Sequence, residues 1–131
     1  MQILIDTHVL IWWSKNSSRL GGQARKLILS PENSIWVSAA SIWEISIKAS
    51  LGRLKLHESF GEVMSRDLER QGFRALPIGF LHALAVRDLP PHHTDPFDRM
   101  LIAQAQCEEL TLLTADRAIF DYKVAALDAA R

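Results

Sequence analysis

Short apolar runs alternate with longer segments of helical periodicity along this chain, and the alternation predicts an α/β fold. Strands are predicted at residues 3–5, 35–37, 73–76 and 111–113, with a weak edge strand at 124–127. Helices are predicted at residues 9–13, 23–29, 39–51, 60–71, 80–87 and 96–109, with a short helical turn at 116–120. The first strand is continuously apolar, which is typical of parallel strands covered on both faces. The pattern therefore predicts a three-layer α/β/α sandwich with a mostly parallel central sheet.

Four acidic residues stand where apolar runs end or where helices begin. Asp6 follows the first strand, and Asp116 follows the strand at 111–113. Asp98 is in the first turn of its predicted helix, and Glu44 is in the second turn of the helix that follows the second strand. Ligands of open α/β sheets bind beyond the carboxyl ends of the strands, an edge that the following helix N-termini share. We therefore expect these four acids to meet in one crevice.

Three of these acids also have a purely structural explanation. Asp95 fits a helix N-cap with Pro96 at the first helical position, and Asp98 is where a capping box places its acid. Asp6 and Asp116 could likewise cap the helical segments that follow them.

Glu44 has no such role, because it lies inside a helix that is apolar almost all round and that we expect in the core. Lys48, four residues later, is its candidate partner, although an exposed pair of this kind stabilises a helix only weakly. A hard divalent cation would balance four gathered carboxylates, and without it some of their pKa values should be raised.

Length and composition indicate which broad classes of protein this chain could belong to. The 131 residues predict a single domain over 1–131, and 15 basic against 15 acidic residues argue against a tight, sequence-blind nucleic-acid binder but not against a nuclease. The single cysteine, Cys107, excludes an intramolecular disulfide, suits a reducing cytoplasm and is expected in the core. The apolar stretches are too short to span a membrane, and the N-terminus does not resemble a secretion signal.

Histidines suggest one alternative chemistry, that of a zinc hydrolase. His8, His92 and His93 are the candidate ligands. None of them forms the i, i+4 helical pair that zinc proteases use, and His92 and His93 are adjacent in a proline-rich connection. The pattern therefore favours the acids over the histidines.

Four ordered segments form a recognisable set of motifs, which are residues 5–13 (IDTHVLIWW), 37–45 (VSAASIWEI), 90–105 (PPHHTDPFDRMLIAQA) and 113–116 (LTAD). This ordered set resembles the PIN-domain ribonucleases of the VapC toxin type. The resemblance implies that Asp6, Glu44, Asp98 and Asp116 are the catalytic, metal-binding quartet of an RNA phosphodiester hydrolase. It also implies dependence on Mg²⁺ or Mn²⁺, a homodimer, and pairing with a small VapB-like antitoxin encoded beside the toxin. The C-terminal segment departs from the pattern, because relatives often end in an apolar strand and this chain ends in residues 127–131 (LDAAR).

Within this hypothesis, Asp6 and Asp98 are the principal metal ligands. Glu44 and Asp116 would bind a second ion, hold metal-bound waters or orient the nucleophile.

Four further residues could support these ligands. The hydroxyls of Thr7 and Thr114 could donate to a ligand acid or a metal-bound water, although polar residues are also common at strand ends. Asp95 is the expected helix cap beside the site, and Arg99 could hold Asp98 or contact phosphate, although pairing on the helix surface is favoured for it.

The alternative from another class is a non-catalytic PIN-fold module that binds protein or RNA and uses its acids only as helix caps. The position of Glu44 inside a helix argues against this alternative.

Overall fold

The computed structural model describes residues 1–56 and 60–131, with only the backbone of Val63. The strands are β1 (Gln2–Ile5), β2 (Ser34–Ser38), β3 (Arg74–Leu76), β4 (Thr111–Thr114) and β5 (Ala126–Asp128). The helices are α1 (Thr7–Ser14), α2 (Gly22–Leu29), α3 (Ala39–Ser50), α4 (Phe60–Arg70), α5 (Phe80–Ala85) and α6 (Pro96–Glu108). Two 3₁₀ turns span Val86–Asp88 and Arg117–Asp121.

The five strands form one parallel sheet in the order β3-β2-β1-β4-β5. The central strand β1 pairs with β2 on one side and with β4 on the other, so that Ile5 lies between Val37 and Leu113. The predicted mostly parallel sheet is confirmed, and every pairing in the described part of the chain is parallel.

Alternate residues of each strand face opposite layers of helices, which produces two cores. Ile3 and Ile5 contribute to a core that includes residues of α1, α2 and α4. Leu4 and Leu112 contribute to a second core, which is built largely from α6. Helices thus cover both faces of the sheet, and the predicted three-layer sandwich is confirmed.

The sequence predicted most ends of helices and strands to within one or two residues of where the structure has them. Ser38 caps α3 as predicted, since its Oγ accepts a hydrogen bond of 3.0 Å from the backbone of Ala40. Gly52 closes that helix with φ of 71°, a left-handed conformation that favours glycine. The helix predicted at 80–87 is shorter than expected, because α5 gives way after Ala85 to a 3₁₀ turn.

Two burial predictions were wrong. Helix α3 was expected to lie within the core, but only one side of it is buried. Glu44 and Ile45 face inward, while 58% of Trp43 is exposed. Cys107 is exposed on α6 rather than buried, since it follows the inward-facing Ala105 by two residues and so lies on the outer side of the helix. None of the described helices combines the length and apolar character that crossing a membrane requires.

The C-terminal residues lie against the start of α2. The backbone N–H of Gly21 donates to the carbonyl of Ala129 at 2.9 Å, and that of Gln23 donates to the carbonyl of Arg131 at 2.7 Å. These carbonyls satisfy N–H groups at a helix start that has no capping side chain. The weak edge strand predicted at 124–127 forms as β5, which begins two residues later, at Ala126. The residues after it are held by these hydrogen bonds, and Ala129 is fully buried.

Candidate functional site

The carboxyl ends of β1 and β4 form the switch point of the sheet. The chain continues from β1 toward β2 on one side, and from β4 toward β5 on the other. This reversal opens a crevice between the two strand ends, where ligands of such sheets bind. Asp6 follows β1 directly, and Asp116 lies two residues beyond β4.

Asp6 is buried and uses both of its carboxylate oxygens. Oδ1 accepts a hydrogen bond of 2.8 Å from the backbone of Val9, so Asp6 caps α1. Oδ2 accepts a hydrogen bond from the hydroxyl of Thr114. Burial raises the pKa of Asp6, although the hydrogen bonds from Thr114 and Val9 oppose the shift.

Asp116 divides its oxygens in the same way. Oδ1 caps the following 3₁₀ turn by accepting from the backbone of Ala118 at 3.0 Å. Oδ2 lies 2.7 Å from Nε2 of His93. The Asp116 backbone N–H donates to Oγ1 of Thr114 at 3.0 Å, so this one hydroxyl group ties Asp116 to Asp6.

Asp98 does not complete the capping box that its position suggested. Asp95 alone caps α6, since its Oδ1 accepts from the backbones of Phe97 (2.8 Å) and Asp98 (3.1 Å). The backbone N–H of Asp95, which a capping-box acid would accept, donates instead to Nδ1 of His93 at 3.1 Å. The carboxylate of Asp98 therefore faces the crevice, where its Oδ2 lies 3.0 Å from His93 Nε2.

His93 lies in the site, although the sequence suggested it only as a ligand of the disfavoured zinc alternative. Its Nε2 and one oxygen each from Asp98 and Asp116 all lie within 4.8 Å of one another. Burial alone would lower the pKa of His93, but the hydrogen bond to Asp116 and the charges of Asp98, Asp116 and Asp95 outweigh it and raise the pKa. The segment His-Thr-Asp-Pro held a signal, because a histidine two residues before an N-cap can accept the N–H of the cap residue.

The pKa of Asp98 depends on its burial and on the charges of the acids around it. Burial and the charge of Asp95 raise the pKa of Asp98 to about 7, against the lowering effect of His93. The charges of Asp6 and Glu44 are smaller contributions to the same shift, so both residues lie within electrostatic reach of Asp98. Burial is the largest cause of the raised pKa of both Asp98 and Asp6, and the charges of neighbouring carboxylates add to it in the direction expected when acids gather without a cation.

Glu44 has a protein partner for only one of its oxygens. Its side chain is 4% exposed, and Oε2 forms an ion pair of 2.7 Å with the partly exposed Lys48. Oε1 is buried and has no hydrogen-bond partner among the described residues. The pair with Lys48 is thus closer and more buried than sequence reasoning assumed, yet it leaves one carboxylate oxygen unsatisfied. Within the described chain, the tightest cluster does not include Glu44 or Asp6.

The remaining predicted site residues have other contacts. Thr7 donates from its hydroxyl to that of Ser41 at 3.1 Å, rather than to a carboxylate. The guanidinium of Arg99 bonds to Tyr122 Oη at 3.3 Å and to the carbonyls of four residues in the connection before α6, which are Val86, Leu89, Pro90 and His93. Arg99 thus holds the segment that carries His93, and the pairing on a helix surface that sequence reasoning favoured for it is not what the structure shows.

The donor set fits a hard divalent cation. Asp6, Asp98 and Asp116 offer carboxylate oxygens near the switch point, and Glu44 acts electrostatically on Asp98. Carboxylate oxygen is the ligand type that Mg²⁺ prefers. The buried Oε1 of Glu44 lacks a donor within the described structure, and Asp98 has a raised pKa. A bound cation would relieve both conditions.

Comparison with known proteins identifies a family. The chain matches the family model described as the PIN domain over residues 3–125. A search of curated proteins found no match.

Three solved structures illustrate the similarity of fold. A chain in the crystal structure of VapBC2 from Rickettsia felis bound to a promoter DNA fragment has a TM-score of 0.73 and 14% identity, with 97% of this chain and 98% of that chain covered. DNA-bound VapBC from Salmonella typhimurium gives 0.70 and 17%, with 98% of each chain covered. FitAcB from Neisseria gonorrhoeae gives 0.68 and 24%, with 97% of each covered. At these identities, the similarity establishes the fold alone.

Proposed function

The chain belongs to the PIN-domain family, and from that premise we propose that it is a metal-dependent endoribonuclease, the toxin of a type II toxin–antitoxin pair that acts in the cytoplasm. The observation that carries the proposal is the placement of Asp6, Asp98 and Asp116 around the switch point, with a buried, unpartnered oxygen of Glu44 within electrostatic reach. Helix caps alone do not require Glu44 inside α3 or the open carboxylate of Asp98.

Asp6, Glu44, Asp98 and Asp116 would hold Mg²⁺ or Mn²⁺, with Asp6 and Asp98 as the principal ligands. Such a cation, when bound, lowers the pKa of water and stabilises charge on a phosphodiester. The protein contributes the positions of these ligands. The hydroxyl of Thr114 donates to Oδ2 of Asp6 and accepts from the backbone N–H of Asp116, so it fixes the orientation of both residues.

Glu44 and Asp116 would complete the site by binding a second ion or by holding and orienting water. Asp116 can do so only with Oδ2, because its Oδ1 is engaged by the backbone of Ala118. Glu44 can do so only with Oε1, because its Oε2 is engaged by Lys48. Glu44 and Asp116 therefore each have one carboxylate oxygen available to the site. Oε1 of Glu44 has no partner among the described residues, and Oδ2 of Asp116 could exchange His93 for an ion or a water molecule.

Two surfaces support the proposed protein partners. An apolar cleft of about 670 Å³ between α3, α4 and the edge strand β3 suits an apolar segment of a VapB-like antitoxin, and the solved VapBC complexes that share this fold contain such a pair by name. The exposed apolar face of α5, formed by Phe80, Leu81 and Leu84, suits a homodimer. Beside it, a pocket of about 230 Å³ lined by Trp43, Ala83 and Phe97 offers a hole for a protruding side chain.

Cleavage of structured RNA by the purified chain tests the activity. We expect cleavage with Mn²⁺ and none after EDTA, and we expect Asp6→Asn and Asp98→Asn to remove it. The matched control is Asp88→Asn, because Asp88 is an exposed acid of a 3₁₀ turn outside the crevice. Sequencing of RNA ends after induced expression of wild type and Asp98→Asn would then identify the RNA that is cut.

The same assay separates the enzyme from the binding module. RNA binding without cleavage, in a protein that is folded and loaded with Mn²⁺, would favour the non-catalytic alternative. Cleavage that persists at full rate in Asp6→Asn would point to a contaminating nuclease.

A further inference from the structure

His93 occupies the position between two proposed metal ligands, and its role follows from which of its nitrogens carries a proton. We propose that His93 is a displaceable stand-in for the metal cation, and not a metal ligand, so that metal binding requires its imidazole to leave Asp98 and Asp116. This inference rests on the proposed metal site.

The ring contacts both carboxylates through one nitrogen. Nε2 lies 2.7 Å from Oδ2 of Asp116 and 3.0 Å from Oδ2 of Asp98. Oδ2 is the oxygen of Asp116 that capping leaves available, because its Oδ1 accepts from Ala118. The imidazole therefore uses the acceptor sites that a cation would need.

The opposite nitrogen determines the tautomer. Nδ1 accepts a hydrogen bond of 3.1 Å from the backbone N–H of Asp95, a group that can only donate. Nδ1 must then present a lone pair, which leaves the ring proton of a neutral imidazole on Nε2. A histidine that binds metal through Nε2 does the reverse, donating its Nδ1–H to a carbonyl or carboxylate. His93 is thus arranged as a hydrogen-bond donor to Asp116, with Oδ2 of Asp98 in close contact with the same nitrogen.

The surrounding contacts permit the ring to move without unfolding the segment. The backbone N–H of His93 donates to Oη of Tyr122 at 2.8 Å, and its carbonyl accepts from Arg99 at 3.3 Å. These bonds hold the main chain and not the imidazole. The His93 side chain is partly exposed and its neighbours His92 and Thr94 are exposed, so rotation about the side-chain torsions can carry the ring toward solvent.

His93→Asn is the discriminating variant. An asparagine oxygen can still accept the N–H two residues ahead, as in an Asx turn, but the shorter side chain cannot reach both carboxylates. His92→Asn is the matched control, because His92 makes an edge contact with the ring of Tyr122 (5.0 Å between centroids) outside the cluster.

The test is calorimetric titration of Mn²⁺ into wild type, His93→Asn and His92→Asn, with thermal melting of each metal-free protein to establish folding. We expect His93→Asn to bind Mn²⁺ about tenfold more tightly, because hydrogen bonds to charged groups no longer compete with the ion. We expect His92→Asn to match wild type. Weaker or unchanged binding in a folded His93→Asn would overturn the inference.

A second measurement uses the wild-type protein alone, so it does not depend on whether the variant folds. Pulsed electron paramagnetic resonance of bound Mn²⁺ detects directly coordinated imidazole nitrogen. We expect no such coupling, and its presence would make His93 a ligand and overturn the inference. Failure of wild type and both variants to bind Mn²⁺ would instead remove the proposed metal site, and the inference with it.

Discussion

At the scale of single residues, the aspartates of the crevice serve folding and chemistry with different atoms. Oδ1 of Asp6 and Oδ1 of Asp116 each accept a hydrogen bond from a backbone N–H at the start of a helical segment. Oδ2 of Asp6 accepts from the hydroxyl of Thr114, and Oδ2 of Asp116 contacts His93. Capping and function are therefore not competing explanations for these residues. The cap fixes the carboxylate so that its second oxygen is presented in one orientation.

Asp98 should make the metal-free protein less stable as pH rises. Its pKa in the folded state is about 7, above its ordinary value near 3.9, so the folded state binds more protons than the unfolded state between these values. The stability that this proton contributes is present below pH 4 and is lost as pH rises through 7, a change of up to about 4 kcal/mol. Compared with Asp98→Asn in EDTA, wild type should lose stability across this window.

Urea unfolding at several pH values between 4 and 8 measures the difference. His93 acts in the same direction, because its pKa is also raised and its contribution is likewise lost as pH rises above that value. The Asp98→Asn variant removes the Asp98 part and its coupling to His93. A constant difference in stability between the two proteins over this range would contradict the assigned burial of a titrating Asp98.

Sequence alone identified the acids but not how they are satisfied. The positions of Asp6, Asp98 and Asp116 followed from strand and helix ends, because those ends share one edge of a parallel sheet. The contact of His93 with the acids depends on the path of the irregular connection before α6, for which no periodicity exists. Lys48 was predicted as the partner of Glu44, but the burial of the pair was not, because the apolar composition of α3 does not show which side of the helix faces inward.

At the scale of elements, the start of α2 depends on residues from the far end of the chain. Gly21 has φ of −67°, which alanine adopts readily, but a Cβ there would overlap the backbone of Arg131. The sequence pattern predicted α2 itself, with the start displaced by one residue. It did not predict that carbonyls after β5 would satisfy the N-terminus of the helix, because such contacts have no local signature.

Gly21→Ala should therefore destabilise the protein, by roughly 1–3 kcal/mol, since the C-terminal residues must move away from α2. The control is Gly22→Ala, the first residue of the helix, where a Cβ would meet no described atom within 4 Å. Gly22→Ala should be neutral or stabilising by up to about 1 kcal/mol. Urea unfolding measures both, and equal stabilities would show that residues 129–131 do not hold this helix.

At the scale of the whole molecule, exposed apolar surface is concentrated on the short helix α5. Phe80, Leu81 and Leu84 project from it, next to the pocket between α3, α5 and α6. A surface that carries both projecting side chains and a pocket can be complementary to a second copy of itself related by a twofold axis. The proposed homodimer therefore has a physical location on this molecule.

Leu84→Asp should convert the proposed dimer to a monomer, because it places a charge in an apolar interface. Leu29→Asp is the matched control, since Leu29 of α2 is 60% exposed and Leu84 is 57% exposed. Light scattering after size exclusion measures the mass of each, and circular dichroism verifies folding. A wild-type monomer would contradict the proposed homodimer, and a dimer that survives Leu84→Asp would contradict an interface on α5.

The order of the strands has a consequence for the proposed toxin. Asp6 and the hydroxyl that fixes its second oxygen are separated by 108 positions, because β1 pairs with β4, which is translated much later. At about 5–20 residues per second, translation leaves roughly 5–20 s between the two. A nascent chain that ends before β4 thus has an incomplete crevice, so the proposed nuclease would stay inactive during this interval, and the proposed antitoxin would have that time to be synthesised.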